Sequence, residues 1–134
     1  MVTMPPLLAA CFWAGLLIVL MVVLSLRVTL GRRRNRVSLG DGDNDQMTVL
    51  CRTFANAAEY VPAGMAALIQ LALVQTPALW IHLIGGGLLL GRLIHPFGMN
   101  RPAPNAPRAL GMILTWLALI AAAVLLILSS LALV

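Results

Sequence analysis

The sequence predicts an all-α integral membrane protein, a bundle of four transmembrane helices. Three observations lead there. The chain of 134 residues is 61% hydrophobic and only 10% charged. Residues 2–26 and 109–134 hold no charged side chain, and each run exceeds the roughly 20 apolar residues that cross a bilayer as a helix. Residues 60–91 are uncharged apart from His82, too long for one span, and interrupted by Gln75-Thr76-Pro77. Proline opens helices readily and breaks their interiors, so that run divides in two. One domain, residues 1–134, is expected.

Helix one covers about residues 5–30. It lacks a basic start, and its apolar region is too long for a secretory signal, so it is read as a retained span. Loop one, "GRRRNRVSLGDGDNDQ", follows. Its Asp41, Asp43 and Asp45 copy the start of a calcium loop, but Gln46 stands where the turn glycine is needed and Arg52 where the bidentate glutamate is needed. No metal site is expected, and the loop reads as a turn-rich segment that helps cap helix two. Helix two, about residues 47–74, begins polar and ends apolar. Helix three, about residues 77–97, contains Gly85-Gly86-Gly87, a composition suited to close packing between membrane helices. Loop three, "NRPAPNAP", is stiffened by prolines, and helix four covers about residues 108–132.

All the basic residues are arginine. Arg27, Arg32, Arg33, Arg34 and Arg36 follow helix one, and Arg92, Arg101 and Arg108 surround loop three. The positive-inside rule puts loops one and three in the cytoplasm and both termini on the opposite side. The net charge of +5 is then mainly topology, and no nucleic-acid partner is expected. Cys11 and Cys51 fall at opposite ends of their spans and are expected as free thiols without a catalytic role. His82, near the outer side, reads as a packing or interfacial residue. Trp13, Trp80 and Trp116 read as packing or interface anchors.

The stretch "RTFANAAEYVP" breaks the apolar pattern. With Arg52 at zero and roughly 100° per residue, Asn56 falls at about 40° and Glu59 at about 340°. They form one stripe, with Tyr60 at its edge. A lone carboxylate inside the membrane costs roughly 3 kcal/mol and faces a protein interior with a partner. A purely structural network would satisfy that requirement. A second polar group favours a site: Arg92 and His95 share a face of helix three, and Arg108 opens helix four. Arginines outnumber the carboxylate, which suits an anion, and the guanidinium fork suits carboxylates in particular. Glu59 is left for an ammonium. A ligand with several carboxylates and one amino group, such as glutathione, has that pattern.

These residues resemble the MAPEG family, the membrane-associated proteins of eicosanoid and glutathione metabolism. The match is R-x-x-x-N-x-x-E-Y-x-P from Arg52 to Pro62, together with "GRLIHPFG", and span number and loop sizes extend it over nearly the whole chain. "VSLGDGD" before helix two looks like the bacterial members, so a bacterial inner membrane is expected. The resemblance implies a homotrimer with three glutathione sites between subunits. It implies that Arg32, Arg52, Asn56, Glu59, Tyr60, Arg92 and His95 bind glutathione, with Arg27 as the alternative to Arg32. It assigns stabilisation of the thiolate to Arg108. Glutathione would act as co-substrate on a hydrophobic electrophile or lipid hydroperoxide arriving from the bilayer. Departures from the family pattern are Met99, Ala109 and Met112, where hydroxyl residues are common, so prostaglandin synthesis is not expected and thiol activation rests mainly on Arg108. Two other readings stand beside a transferase or peroxidase. One is a MAPEG-fold binder of a lipid anion with little catalysis. The other is a small proton-coupled drug exporter, disfavoured because arginines around Glu59 would hold it ionised.

Overall fold

The computed structural model describes the backbone of residues 4–132 and the side chains of residues 4–131. Residues 1–3 and 133–134, the ends of the expected domain, lie outside the described residues. The described chain is four helices without a strand: α1 (Pro6–Asn35), α2 (Asp45–Leu73), α3 (Ala78–Met99) and α4 (Ala106–Ala132).

Four helix ends lie two or more residues from the sequence expectation: α3 runs on to Met99, and the other three each have a local reason. α1 continues past residue 30 because Gly31-Arg32-Arg33-Arg34-Asn35 contains no proline, and basic residues in a last turn complement the helix dipole. It stops where Arg36 turns left-handed at φ 54° and donates its N–H to the Arg32 carbonyl. α2 starts earlier than expected, at Asp45, because the Asn44 side chain accepts the Met47 N–H at 3.0 Å. α4 starts at Ala106 because Asn105 accepts the Arg108 N–H at 3.0 Å, while its amide donates to the Gly98 carbonyl at 3.0 Å. Asn105 thereby ties loop three to the end of α3.

α1, α3 and α4 are long and apolar enough to cross a membrane, and the protein is an integral membrane protein. α2, at 29 residues, has the length but is not among the three. Its first half carries Arg52, Asn56 and Glu59, which lower its hydropathy. The expected fourth span is therefore the polar helix of the bundle.

α3 packs most extensively on α4, and α1 on α2; α2 also touches α3 and α4, and α1 touches α3. Among the described residues α1 and α4 do not meet. Leu17, Leu68, Leu88 and Ile81 are fully buried between the helices. Glycines set how closely the pairs approach. A Cβ at Gly85 would run into the indole of Trp13, and one at Gly98 into the Arg108 backbone. Gly91 and Gly111 face each other, each 2.8 Å from the other's carbonyl oxygen if given a Cβ. The α3–α4 crossing is thus nearly backbone on backbone, and it carries Arg108 up to His95.

Candidate functional site

The stripe expected on α2 exists, and it stands at the rim of a cleft. Arg52 and Glu59 are exposed in the single chain, Asn56 is half-buried, and Thr53 and Ala57 turn into the core. Helices α3 and α4 complete the cleft. Its volume is ≈ 110 Å³, and its walls are Arg52, Ala55, Asn56 and Glu59 from α2, His95 and Met99 from α3, and Arg108 from α4. Five of the eight residues named from the sequence therefore meet here. The other three sit elsewhere.

Arg92 lies one layer deeper, 1% exposed. Its Nη1 donates to Asn56 Oδ1 at 2.7 Å, and its Nη2 donates to the Gly111 carbonyl at 3.3 Å and contacts Met112 Sδ at 3.3 Å. Its guanidinium carbon stands 5.4 Å from the centre of the Tyr60 ring, a cation–π contact. The carbonyl is already shared, since Thr115 Oγ1 also donates to it at 2.8 Å. Arg92 thus fixes Asn56 from behind, and Tyr60 packs under Arg92 outside the lining. His95 is only 4% exposed, yet it lines the cleft.

Arg32 is not in the cleft. It lies between α1 and α2, with Nη2 3.9 Å from Cys51 Sγ. Its Nη1 is buried and has no hydrogen-bond partner. Cys11 and Cys51 are both free thiols. His82 packs as expected: Trp13 Nε1 donates to its Nδ1 at 3.0 Å, which fixes the neutral tautomer with the proton on Nε2.

Arg108 has a second environment. It also borders a larger, mostly apolar cleft of ≈ 580 Å³, with Ala109, Met112, Ile113 and Trp116 along α4 and Ala103 and Pro104 from loop three. The sequence does not reveal this cleft, because it depends on how loop three folds back over α4. Nor does it reveal the Gly111 carbonyl and Met112 sulfur as holders of Arg92. The available signal was the glycine set Gly91, Gly98 and Gly111, which marks where α3 and α4 touch.

Chemically the polar cleft offers two guanidiniums, one carboxylate, one amide and one imidazole. It can hold a small anion that also carries an ammonium group.

Comparison with known proteins agrees with the sequence signature. The profile of the MAPEG family matches residues 10–128. Inner membrane protein YecN of Escherichia coli strain K12 is 30% identical over 111 residues, covering 83% of this chain and 84% of that protein. Inner membrane protein YecN of Escherichia coli O6:H1 matches to the same extent. No solved structure matches the chain.

Proposed function

The chain belongs to the MAPEG family, and from that premise we propose that it is a glutathione-dependent membrane transferase or peroxidase acting on hydrophobic electrophiles or lipid hydroperoxides. The observation that carries the reading is the double position of Arg108. It borders both the polar cleft of Arg52 and Glu59 and the apolar cleft of Met112, Ile113 and Trp116. A peptide anion in the first and an apolar compound in the second would meet at its guanidinium.

The residues divide the work by charge. Arg52 receives a carboxylate of glutathione and Glu59 its ammonium. Asn56, held by Arg92, supplies an oriented amide. A free thiol ionises near pH 8.5, so little thiolate exists at neutral pH. The Arg108 guanidinium favours the anion in a partly dry site. The thiol proton leaves to solvent, and the sulfur bonds to the electrophilic carbon as the leaving group departs with its electrons. No protein nucleophile takes part.

Arg32, named by the resemblance, is placed on the same reading as a contribution from a neighbouring subunit of a homotrimer. The polar α2 supports that assembly. Arg52, Ala55, Glu59, Ala63, Ala66 and Gln70 are all exposed in one chain and fall within a sector of about 80° on the helix. Lipid is a poor cover for such a face, and a symmetric copy is a good one. With that cover α2 becomes the fourth span. The arginine distribution supports a placement of loops one and three in the cytoplasm, and the inner membrane relatives support a bacterial inner membrane.

Calorimetry of glutathione binding in detergent tests the reading, with ultraviolet difference absorbance for bound thiolate on the same samples. Binding is expected for the wild type, lost in Arg52→Ala and Glu59→Gln. Arg108→Ala is expected to keep binding and lose the thiolate signal. No binding at millimolar glutathione overturns the proposal. Binding without thiolate favours the second reading, a binder of an anion with little catalysis, which the apolar side chains Met99, Ala109 and Met112 around the site support.

A further inference from the structure

A second polar cavity lies at the loop-one end of the bundle, between α1 and α2. Its volume is ≈ 310 Å³, and none of its residues lines the cleft of Arg52 and Glu59. Arg27 and Arg34 border it from α1. Seven residues apart, they fall within about 20° of each other, roughly 10 Å along the helix, so both guanidiniums serve one face. Gln46 enters from the first turn of α2, and Leu30 and Leu50 form an apolar wall. Asn35 is already engaged, its amide donating to the Gly31 carbonyl at 3.0 Å and its Oδ1 accepting from Asn44 at 3.3 Å. No carboxylate lines the cavity. What it presents to a ligand is therefore cationic.

The apolar wall does not end at Leu30. Val19, Val23 and Leu26 are exposed on α1, on the bilayer side of Arg27 and within about 80° of the azimuth of Arg34. A cationic pocket at the end of a span thus continues into an apolar rail along that span.

We propose that this cavity binds the phosphodiester headgroup of an anionic membrane phospholipid, with Arg27 and Arg34 on the phosphate and an acyl chain along Val19, Val23 and Leu26. Two guanidinium forks match phosphate oxygens, and basic pockets between membrane helices take such headgroups. The rail favours a lipid over a soluble phosphate. The lack of a carboxylate disfavours a choline headgroup, whose ammonium would face two like charges. Arg27 then serves lipid rather than glutathione.

Native mass spectrometry of the full chain released from micelles tests this, titrating phosphatidylglycerol, phosphatidylcholine of the same acyl chains, and inorganic phosphate separately. The expected preference for phosphatidylglycerol over phosphatidylcholine is on the order of 10- to 30-fold, with each near-surface arginine contributing roughly 5-fold. Arg27→Gln/Arg34→Gln abolishes the preference and leaves phosphatidylcholine adducts unchanged, which also shows that the variant is folded. Should the double variant fail to fold, each single variant is expected to lose roughly 5-fold. Arg33→Gln/Arg36→Gln removes the same charge from exposed positions outside the cavity and keeps the preference. Equal binding of the two lipids by the wild type overturns the proposal. So does an equal loss in both double variants, or inorganic phosphate displacing the lipid.

Discussion

Arg92 decides the geometry of the polar cleft without lining it. Its Nη1 holds Asn56 at 2.7 Å, and its Nη2 reaches the Gly111 carbonyl at 3.3 Å. Removing Asn56 leaves a buried guanidinium short of an acceptor, so Asn56→Ala is expected to destabilise the bundle by roughly 1–2 kcal/mol. Arg92→Met fills much of the same space without charge, and in that background the Asn56→Ala change is expected to cost little. A double-mutant cycle on unfolding in detergent reads the coupling; strictly additive losses would show that the two side chains act separately. Glutathione affinity is expected to fall in Arg92→Met as well, because Asn56 loses its orientation. At this scale the sequence was partly legible. Spacing alone grouped Arg52, Asn56 and Glu59, since i, i+4 and i+7 share a helix face. It could not tell Arg92 behind the cleft from Arg52 at its rim, because that difference depends on the register of α4 against α3. Arg32 was named by resemblance, and in one chain it does not line the cleft.

Helices were legible because apolar runs of membrane length have few alternatives. Their ends were not, since caps such as Asn44 and Asn105 act through side-chain geometry that an apolar pattern does not record. How the helices approach one another rests on glycine, which makes a paired prediction. Gly98→Ala sets a methyl against the Arg108 backbone. It is expected to part α3 from α4 and cost roughly 1–3 kcal/mol, with loss of the thiolate signal proposed to depend on Arg108. Gly15→Ala meets nothing within 4 Å and is expected to be neutral or to stabilise by up to about 1 kcal/mol through helix propensity. Thermal melts of the two variants in one detergent compare them directly. Loop one gives a pH prediction. Thr48 Oγ1 donates to Asp41 Oδ2 at 2.8 Å, and this bond, followed by the Asp43 N–H, holds the Asp41 carboxyl below the usual carboxylate range. A lowered pKa means that the contact stabilises the loop above about pH 4 and is lost as pH falls through the lowered value. Carbon-detected titration of Asp41 is expected to show the low midpoint, and Thr48→Val to return it towards the ordinary range.

Across the whole molecule, the exposed face of α2 is the feature a single chain leaves unexplained. Arg52, Ala55, Glu59, Ala66 and Ile69 recur along it at alternating intervals of three, four and seven residues, all exposed. That near-heptad spacing suits the seam of a left-handed helix association, and its small residues permit close approach. α4 differs: Ile120, Val124 and Ile127 are exposed and aliphatic, a face that lipid covers without cost. A homotrimer therefore requires contact at α2 and none along that part of α4. In a background with Cys11 and Cys51 replaced by serine, Ala66→Cys is expected to form disulfide-linked pairs under mild oxidation. One cysteine per subunit near a threefold axis can join only two of three chains, so a denaturing gel would show linked dimers beside unlinked monomers. Val124→Cys, facing lipid, is expected to stay unlinked. Native mass spectrometry of the unmodified chain should then give three times the subunit mass. Cross-linking at Val124 instead of Ala66 would move the interface to α4, and a monomer mass with neither linked would leave Glu59 facing lipid and overturn the assembly on which the proposed glutathione site between subunits depends.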